Sequence, residues 1–132
     1  MTDVERAVVA RSVEQAWATM MAGARELDPD RVRAGYIERP IVAINGRIIE
    51  DFDRDHFDKV RRWFSSLTEF EADYDQVHLG VLGPRTAVAT MYHHLRWWDT
   101  AGAVGEWNSA WTAVFQRLRG QWKIAYSHES LP

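Results

Sequence analysis

Residues 108–130 constrain the fold of this chain more than any other segment. They read as two strands broken once, at Arg119-Gly120. In the second strand Trp122, Ile124, Tyr126 and His128 alternate with Lys123, Ala125, Ser127 and Glu129. That is the period-two pattern that sends successive side chains to opposite faces of a sheet. A strand so large and aromatic on one side must close over something, either a core or a cavity.

The same period begins at Thr68. Thr68–Leu82, Thr86–Trp98, Val104–Leu118 and Gln121–Ser130 read as four long strands joined by Gly83-Pro84, Thr100-Ala101-Gly102 and Arg119-Gly120. Strands of this length must twist and coil, and a slip in apolar parity between Asp73 and Val77 marks a bulge. The first half is mostly helical. Thr2-x-x-Glu5 has the form of a capping box before a long amphipathic helix carrying Val9, Val13, Ala16, Trp17 and Met20. Asp28-Pro29 opens a short second helix ending near Gly35, and Tyr36–Ile44, Asn45-Gly46 and Arg47–Glu50 form a hairpin. Asp53 is expected to cap a third helix whose apolar line is Phe57, Val60, Phe64 and Leu67. Helices followed by a meander give an α+β class: three helices against a strongly curved antiparallel sheet of about six strands.

At 132 residues the chain forms one domain, 1–132, able to bury roughly two thirds of its unfolded surface. With no cysteine it has no disulfide framework, thiolate ligand or thiol nucleophile. The lack of an N-terminal apolar segment and of a long uncharged apolar run predicts no membrane span and a cytoplasmic location. A net charge of −3 with interspersed signs argues against nucleic acid as a partner. The seven tryptophans are more telling, because four of them, Trp97, Trp98, Trp107 and Trp111, fall within 15 residues.

This order of elements resembles the NTF2-like superfamily, and within it the SnoaL-like domains and the ketosteroid-isomerase-type cones. The residues that carry the resemblance are Thr112-x-Val114, Gly120-x-Trp122-x-Ile124, His128-x-Ser130, and Val81-Leu-Gly-Pro-Arg-Thr-Ala-Val88 ahead of the fourth strand. The resemblance spans essentially the whole chain. It implies a pocket between the concave sheet face and the helices, and a homodimer packed through the outer sheet face. It supplies no catalytic residue, because neither the tyrosine and aspartate of the isomerases nor the aspartate and histidine of the cyclases fall on matching motifs. The superfamily hosts isomerases, cyclases, dehydratases and assembly domains on one cone, so fold alone does not name a reaction.

Candidate site residues follow from strand parity. His128 shares a face with Trp122, Ile124 and Tyr126 and so points inward, either as an acid–base group or as a structural histidine. Tyr92, His94, Arg96 and Trp98 alternate with His93, Leu95 and Trp97, so only one of the paired histidines reaches the cavity. On the next strand Glu106, Asn108 and Thr112 oppose Trp107, Trp111 and Phe115. Both faces carry large side chains, and the register at Arg119-Gly120 leaves open which one lines the cone. An inward Glu106 would be an acid–base group with a raised pKa; an outward one would pair with Arg96. Tyr36, Arg39 and the Trp63-Phe64 pair flank the expected mouth, unless Trp63-Phe64 is helix-to-sheet core, the simpler reading. Histidine and carboxylate types are present, but no short His-x-His or His-x-x-x-His spacing puts two on one face, so no metal is expected. The alternating Glu69, Glu71, Asp73 and Asp75 read as a solvated outer face.

The sequence therefore supports a pocket for a small apolar or aromatic molecule. If it is an enzyme, it would work by acid–base chemistry without a cofactor, as an isomerase, cyclase or dehydratase. His128, His94 and Glu106 are the catalytic candidates, and Tyr36, Trp63, Tyr92, Trp98, Asn108, Trp111 and Tyr126 the ligand-binding ones. The alternative is a non-catalytic ligand-binding or oligomerisation module. An enzyme should desolvate Glu106 or His94 in the pocket, whereas a module should bury its tryptophans between subunits with no convergent polar groups.

Overall fold

A computed structural model describes residues 1–131. Helix α1 spans Asp3–Arg25 and α2 spans Pro29–Arg33. A π-helical turn at Asp53–Phe57 runs into α3, Asp58–Ser65. The strands are β1 Tyr36–Ile44, β2 Arg47–Ile49, β3 Leu67–Gly83, β4 Thr86–Asp99, β5 Val104–Leu118 and β6 Gln121–Ser130. Three helices thus pack on one six-stranded sheet of order β2-β1-β6-β5-β4-β3. The sheet is mixed rather than wholly antiparallel, because β1 runs parallel to β6 while the other neighbours are antiparallel. No helix among the described residues is long and apolar enough to cross a membrane.

Local chemistry accounts for the ends of most elements. The Thr2 hydroxyl accepts from the Glu5 amide at 3.1 Å, and the Glu5 carboxylate accepts from the Thr2 amide at 2.9 Å, which completes the capping box. Asp28 caps α2 by accepting from the Arg31 amide at 3.2 Å, with Pro29 at the first helical position. Asn45 (φ 48°) and Gly46 (φ 78°), like Arg119 (φ 52°) and Gly120 (φ 79°), hold the paired positive φ of the tight hairpin turn. Asp53 does not cap the third helix as expected. Its carboxylate pairs with the Arg33 guanidinium at 2.7 Å, and Asp51, two residues earlier, accepts from the Arg54 amide at 2.9 Å.

The core lies between α1 and the concave sheet face. From α1 it takes Val9, Val13, Trp17, Met20 and Met21, which meet Ala72, Ala87, Ala89, Met91, Trp111, Ala113, Phe115 and Ile124 from the sheet. Each large side chain buried there contributes about 1.5–3 kcal/mol, and the alanines let the helix approach the strands closely. The acidic row Glu69, Glu71, Asp73 and Asp75 is exposed on β3, an edge strand, where charge discourages pairing with another chain.

Two irregularities shape the sheet. Between Asp75 and His78 the β3–β4 register slips, with Gln76 at φ 51°, where the parity break predicts a bulge. The second was not expected. Phe115 pairs with Ile124 and Val114 with Tyr126, so Ala125 is an extra residue in β6. One such insertion reverses every later side chain. Ile124 stays in the core, but Ser127 is buried while Tyr126 is exposed.

At the β4–β5 end of the cone Trp63, Trp97 and Trp107 form an aromatic cluster with ring centroids 5.0–6.5 Å apart. The Trp97 ring lies directly over Gly105, where an added Cβ would overlap it. Gly105→Ala should therefore cost about 1–3 kcal/mol through overpacking, read as a lower urea midpoint with an unchanged m-value. A variant as stable as the parent would show that Trp97 moves freely.

Candidate functional site

A cavity of about 250 Å³ opens between the concave face and the helices. Met20, Met21 and Ala24 of α1, Val60, Trp63 and Phe64 of α3, and Phe70, Leu95, Trp107 and Trp111 of the sheet give it apolar walls. Its polar groups are few: Tyr36 on β1, His56 on the π-helical turn, His93 on β4, and Ser127 and Glu129 on β6. No lysine or arginine lines it.

His93 and Glu129 meet at 3.9 Å, from Nδ1 to Oε2. The Ser109 hydroxyl donates to the same carboxylate oxygen at 3.0 Å. The imidazole is only 6 % exposed and lies against Trp17 and Trp111, each at a centroid distance of 5.2 Å, while its Nε2 has no partner among the described residues. Burial pushes the His93 pKa down to about 4, with the neighbouring His94 adding to the effect. Burial pushes Glu129 the other way, above the usual carboxylate range, against the Ser109 hydrogen bond. Tyr36 is raised by burial and then by the charge of Glu129, so it remains a neutral phenol. His56 is lowered by burial and by Lys59. Desolvation thus favours the neutral form of every titrating group on the wall.

A depressed histidine pKa stabilises the fold above the unfolded value of 6.5, and that stability is lost as pH falls from 6.5 toward 4. For His93 it amounts to on the order of 3 kcal/mol. The raised Glu129 has the opposite sign: its contribution is complete below the unfolded value of 4.5 and fades as pH rises. His93→Phe should remove only the first slope. Urea midpoints at pH 4.5, 5.5 and 6.5 would then show the parent gaining on the variant as pH rises; parallel curves would contradict the assignment.

The sequence-derived candidates divide by face. Tyr36, Trp63 and Trp111 line the cavity. His94, Glu106, His128, Tyr92, Trp98, Asn108 and Tyr126 do not; of the two faces left open for β5, Trp107, Ser109 and Trp111 hold the inner one and Glu106, Asn108 and Thr112 the outer. His94 is half exposed on the outer face, with Nδ1 2.6 Å from Asn108 Oδ1 and Nε2 3.1 Å from Asp75. Its pKa is raised, first by Asn108 and then by Asp75. Glu106 is exposed opposite Arg96, and the Arg96 guanidinium lies 5.0 Å over the Trp98 ring. Tyr126 and His128 were expected inward; the extra residue at Ala125 turns them to the opposite side of β6 from Ser127 and Glu129. Glu129, Ser109 and Ser127 were not anticipated as site residues. His93 was visible only as one of a pair, although its neighbours in parity, Met91, Leu95 and Trp97, are the more apolar set. Among the described residues no group of three or more His, Asp or Glu is arranged to hold a metal ion.

Comparison with solved structures shows the same fold at low identity. A protein from Novosphingobium aromaticivorans provisionally named a scytalone dehydratase matches with a TM-score of 0.87 and 11% identity, covering 99% of this chain and 89% of that one. A provisionally named dehydratase of the NTF2-like family from Streptomyces avermitilis matches at 0.80 and 14%, covering 96% and 98%. A hexachlorocyclohexane dehydrochlorinase from Novosphingobium barchaimii matches at 0.77 and 10%, covering 98% and 90%. These likenesses establish the fold alone. No curated protein matches the chain. The family model of the SnoaL-like domain matches residues 11–132, so the chain belongs to the SnoaL-like family, on the NTF2-like fold.

Proposed function

We propose that this protein is an acid–base enzyme that abstracts a proton from a small, neutral, largely apolar molecule, leading to elimination of water or to isomerisation. The carrying observation is the His93–Glu129 pair, two titratable groups 3.9 Å apart on the wall of an otherwise greasy cavity. A buried histidine that stays neutral at pH 7 keeps a basic lone pair, and Nε2, enclosed against the Trp17 and Trp111 rings, lacks a partner among the described residues. It takes a proton from carbon, and the resulting imidazolium is steadied by Glu129 at Nδ1. A unit charge pair at 3.9 Å is worth about 4 kcal/mol at an effective dielectric constant of about 20. In a dehydration the same proton passes to the departing hydroxyl, giving water and a conjugated product. Tyr36, neutral beside Glu129, donates a hydrogen bond to the oxygen on which charge develops.

Neutral substrates are favoured because the lining carries a carboxyl group and no cation. Dehydratases and a dehydrochlorinase among the proteins sharing the fold are consistent with this chemistry. Neither Glu106 nor His94 is desolvated in the cavity, so the expectation for an enzyme fails on those residues. The reading rests instead on Trp107 and Trp111 facing the cavity and on His93 and Glu129 converging there. The direct test is a panel of neutral aryl β-hydroxy ketones followed by ultraviolet absorbance of the enone. Turnover by the parent and its loss in His93→Gln support the reading; equal rates in parent and variant would sink it.

The homodimer belongs to the same proposal. The outer face exposes Tyr92 (46 %), Tyr126 (37 %) and Ile41 (60 %), an apolar set suited to a second copy. Light scattering should give twice the 15.3 kDa chain mass, and Tyr92→Glu should shift it toward the monomer.

A further inference from the structure

A second apolar cavity, of about 260 Å³, lies alongside the first, and Trp17 belongs to the wall of both. The two follow α1 in order. Val13 and Glu14 line the second cavity, Trp17 stands one turn further on, and Met20, Met21 and Ala24 line the first. At about 1.5 Å of rise per residue, Glu14 to Ala24 covers roughly 15 Å of helix. The Trp17 indole stacks on Trp111 at 4.5 Å and on His93 at 5.2 Å, and meets the Tyr74 ring edge-on at 5.9 Å; Tyr74 lines the second cavity.

The second cavity lies beside the β3 bulge. Between Asp75 and His78 the strand slips register with β4, and pairing resumes at His78–Thr90. Its walls include Ala89, Met91 and Phe115, all buried, and its rim carries Val77, which is 41 % exposed. An apolar cavity of this size stays dry and can take an apolar guest. The partition is itself poorly anchored by polar contacts: the Trp17 Nε1–H is buried with no hydrogen-bond partner, a state that folded proteins rarely leave in place. Among the described residues no hydrogen bond fixes the indole, and stacking on Trp111 and His93 is what holds it.

We propose that Trp17 is a movable partition and that the second cavity receives the aliphatic tail of a ligand whose polar head sits at His93 and Glu129. The placement of the head rests on the acid–base reading. The ligand class is a neutral oxygen-bearing head joined to a linear alkyl chain, long enough to pass Trp17 along the helix.

The test is calorimetric titration of the full chain with alkyl phenyl ketones of increasing length, from acetophenone to octanophenone. Affinity should rise by about fourfold per methylene once the tail passes Trp17. Ala89→Leu, which fills the second cavity, should abolish that gain and leave acetophenone binding unchanged. Val77→Trp closes the cavity from its exposed rim and should do the same if Ala89→Leu proves unstable. A parent whose affinity does not grow with chain length overturns the proposal, and so does a gain that survives both variants. Absence of enone formation with the hydroxy ketones would count against the acid–base reading alone, since the dependence on chain length is read from binding.

Discussion

His93→Gln should lower kcat/KM by about 10²–10⁴, roughly 3–5 kcal/mol of transition-state stabilisation. Among the groups lining the cavity, His93 combines a basic nitrogen with no partner among the described residues, a pKa held near 4 and a carboxylate at 3.9 Å. Glutamine fills a similar space but cannot accept the proton. The pH profile separates this from a packing defect. Parent activity should stay level down to a limb near pH 4 and not near 6.5, because burial keeps the imidazole neutral through that window. Glu129→Gln should retain more activity than His93→Gln, since Glu129 steadies the imidazolium rather than taking the proton. A profile with its limb at 6.5, or His93→Gln turning over at the parent rate, would place the base elsewhere.

Trp111→Ala carries the largest expected structural cost, about 3–5 kcal/mol. The ring is 5 % exposed and lies against Trp17 at 4.5 Å and against His93 at 5.2 Å. Its removal joins a new void to the existing cavity, which water can enter, so the loss appears in two measurements. Urea unfolding should show the lower stability. An NMR titration of the His93 ring should show its pKa climbing from about 4 back toward 6.5 as the imidazole becomes solvated. A stability loss of the expected size without movement of the pKa would mean that other residues desolvate His93.

The alignment of polar groups inside an apolar wall also explains why the useful residues were hard to single out. Glu129 follows His128 directly, and in an unbroken strand the histidine would face inward. Ser109 and Ser127 look like ordinary polar strand residues until both are found buried. His93 and His94 are adjacent and chemically identical in one dimension. Their environments differ completely: one is packed against two indoles, and the other bridges Asn108 and Asp75 on the outer face.

The elements themselves were legible because their signals are local. The Thr2–Glu5 capping box, Asp28-Pro29, Asn45-Gly46 and Arg119-Gly120 each act within a few residues, and the helical and strand periods are read over one element at a time. Strand ends at Leu118, Gln121 and Ser130 fell where alternation and turn residues placed them. Together they determined an α+β arrangement of helices on a curved sheet, and the family resemblance implied the cone. Which side of the meander faces its interior was decided by tertiary structure alone. Side-chain parity propagates along a strand only while pairing is unbroken, and the extra residue at Ala125 reverses it between Ile124 and Ser127. The closing strand therefore keeps Ile124 in the core, turns His128 away, and brings Glu129 to His93, because packing against β5 and β1 outweighs the alternation of its own residues.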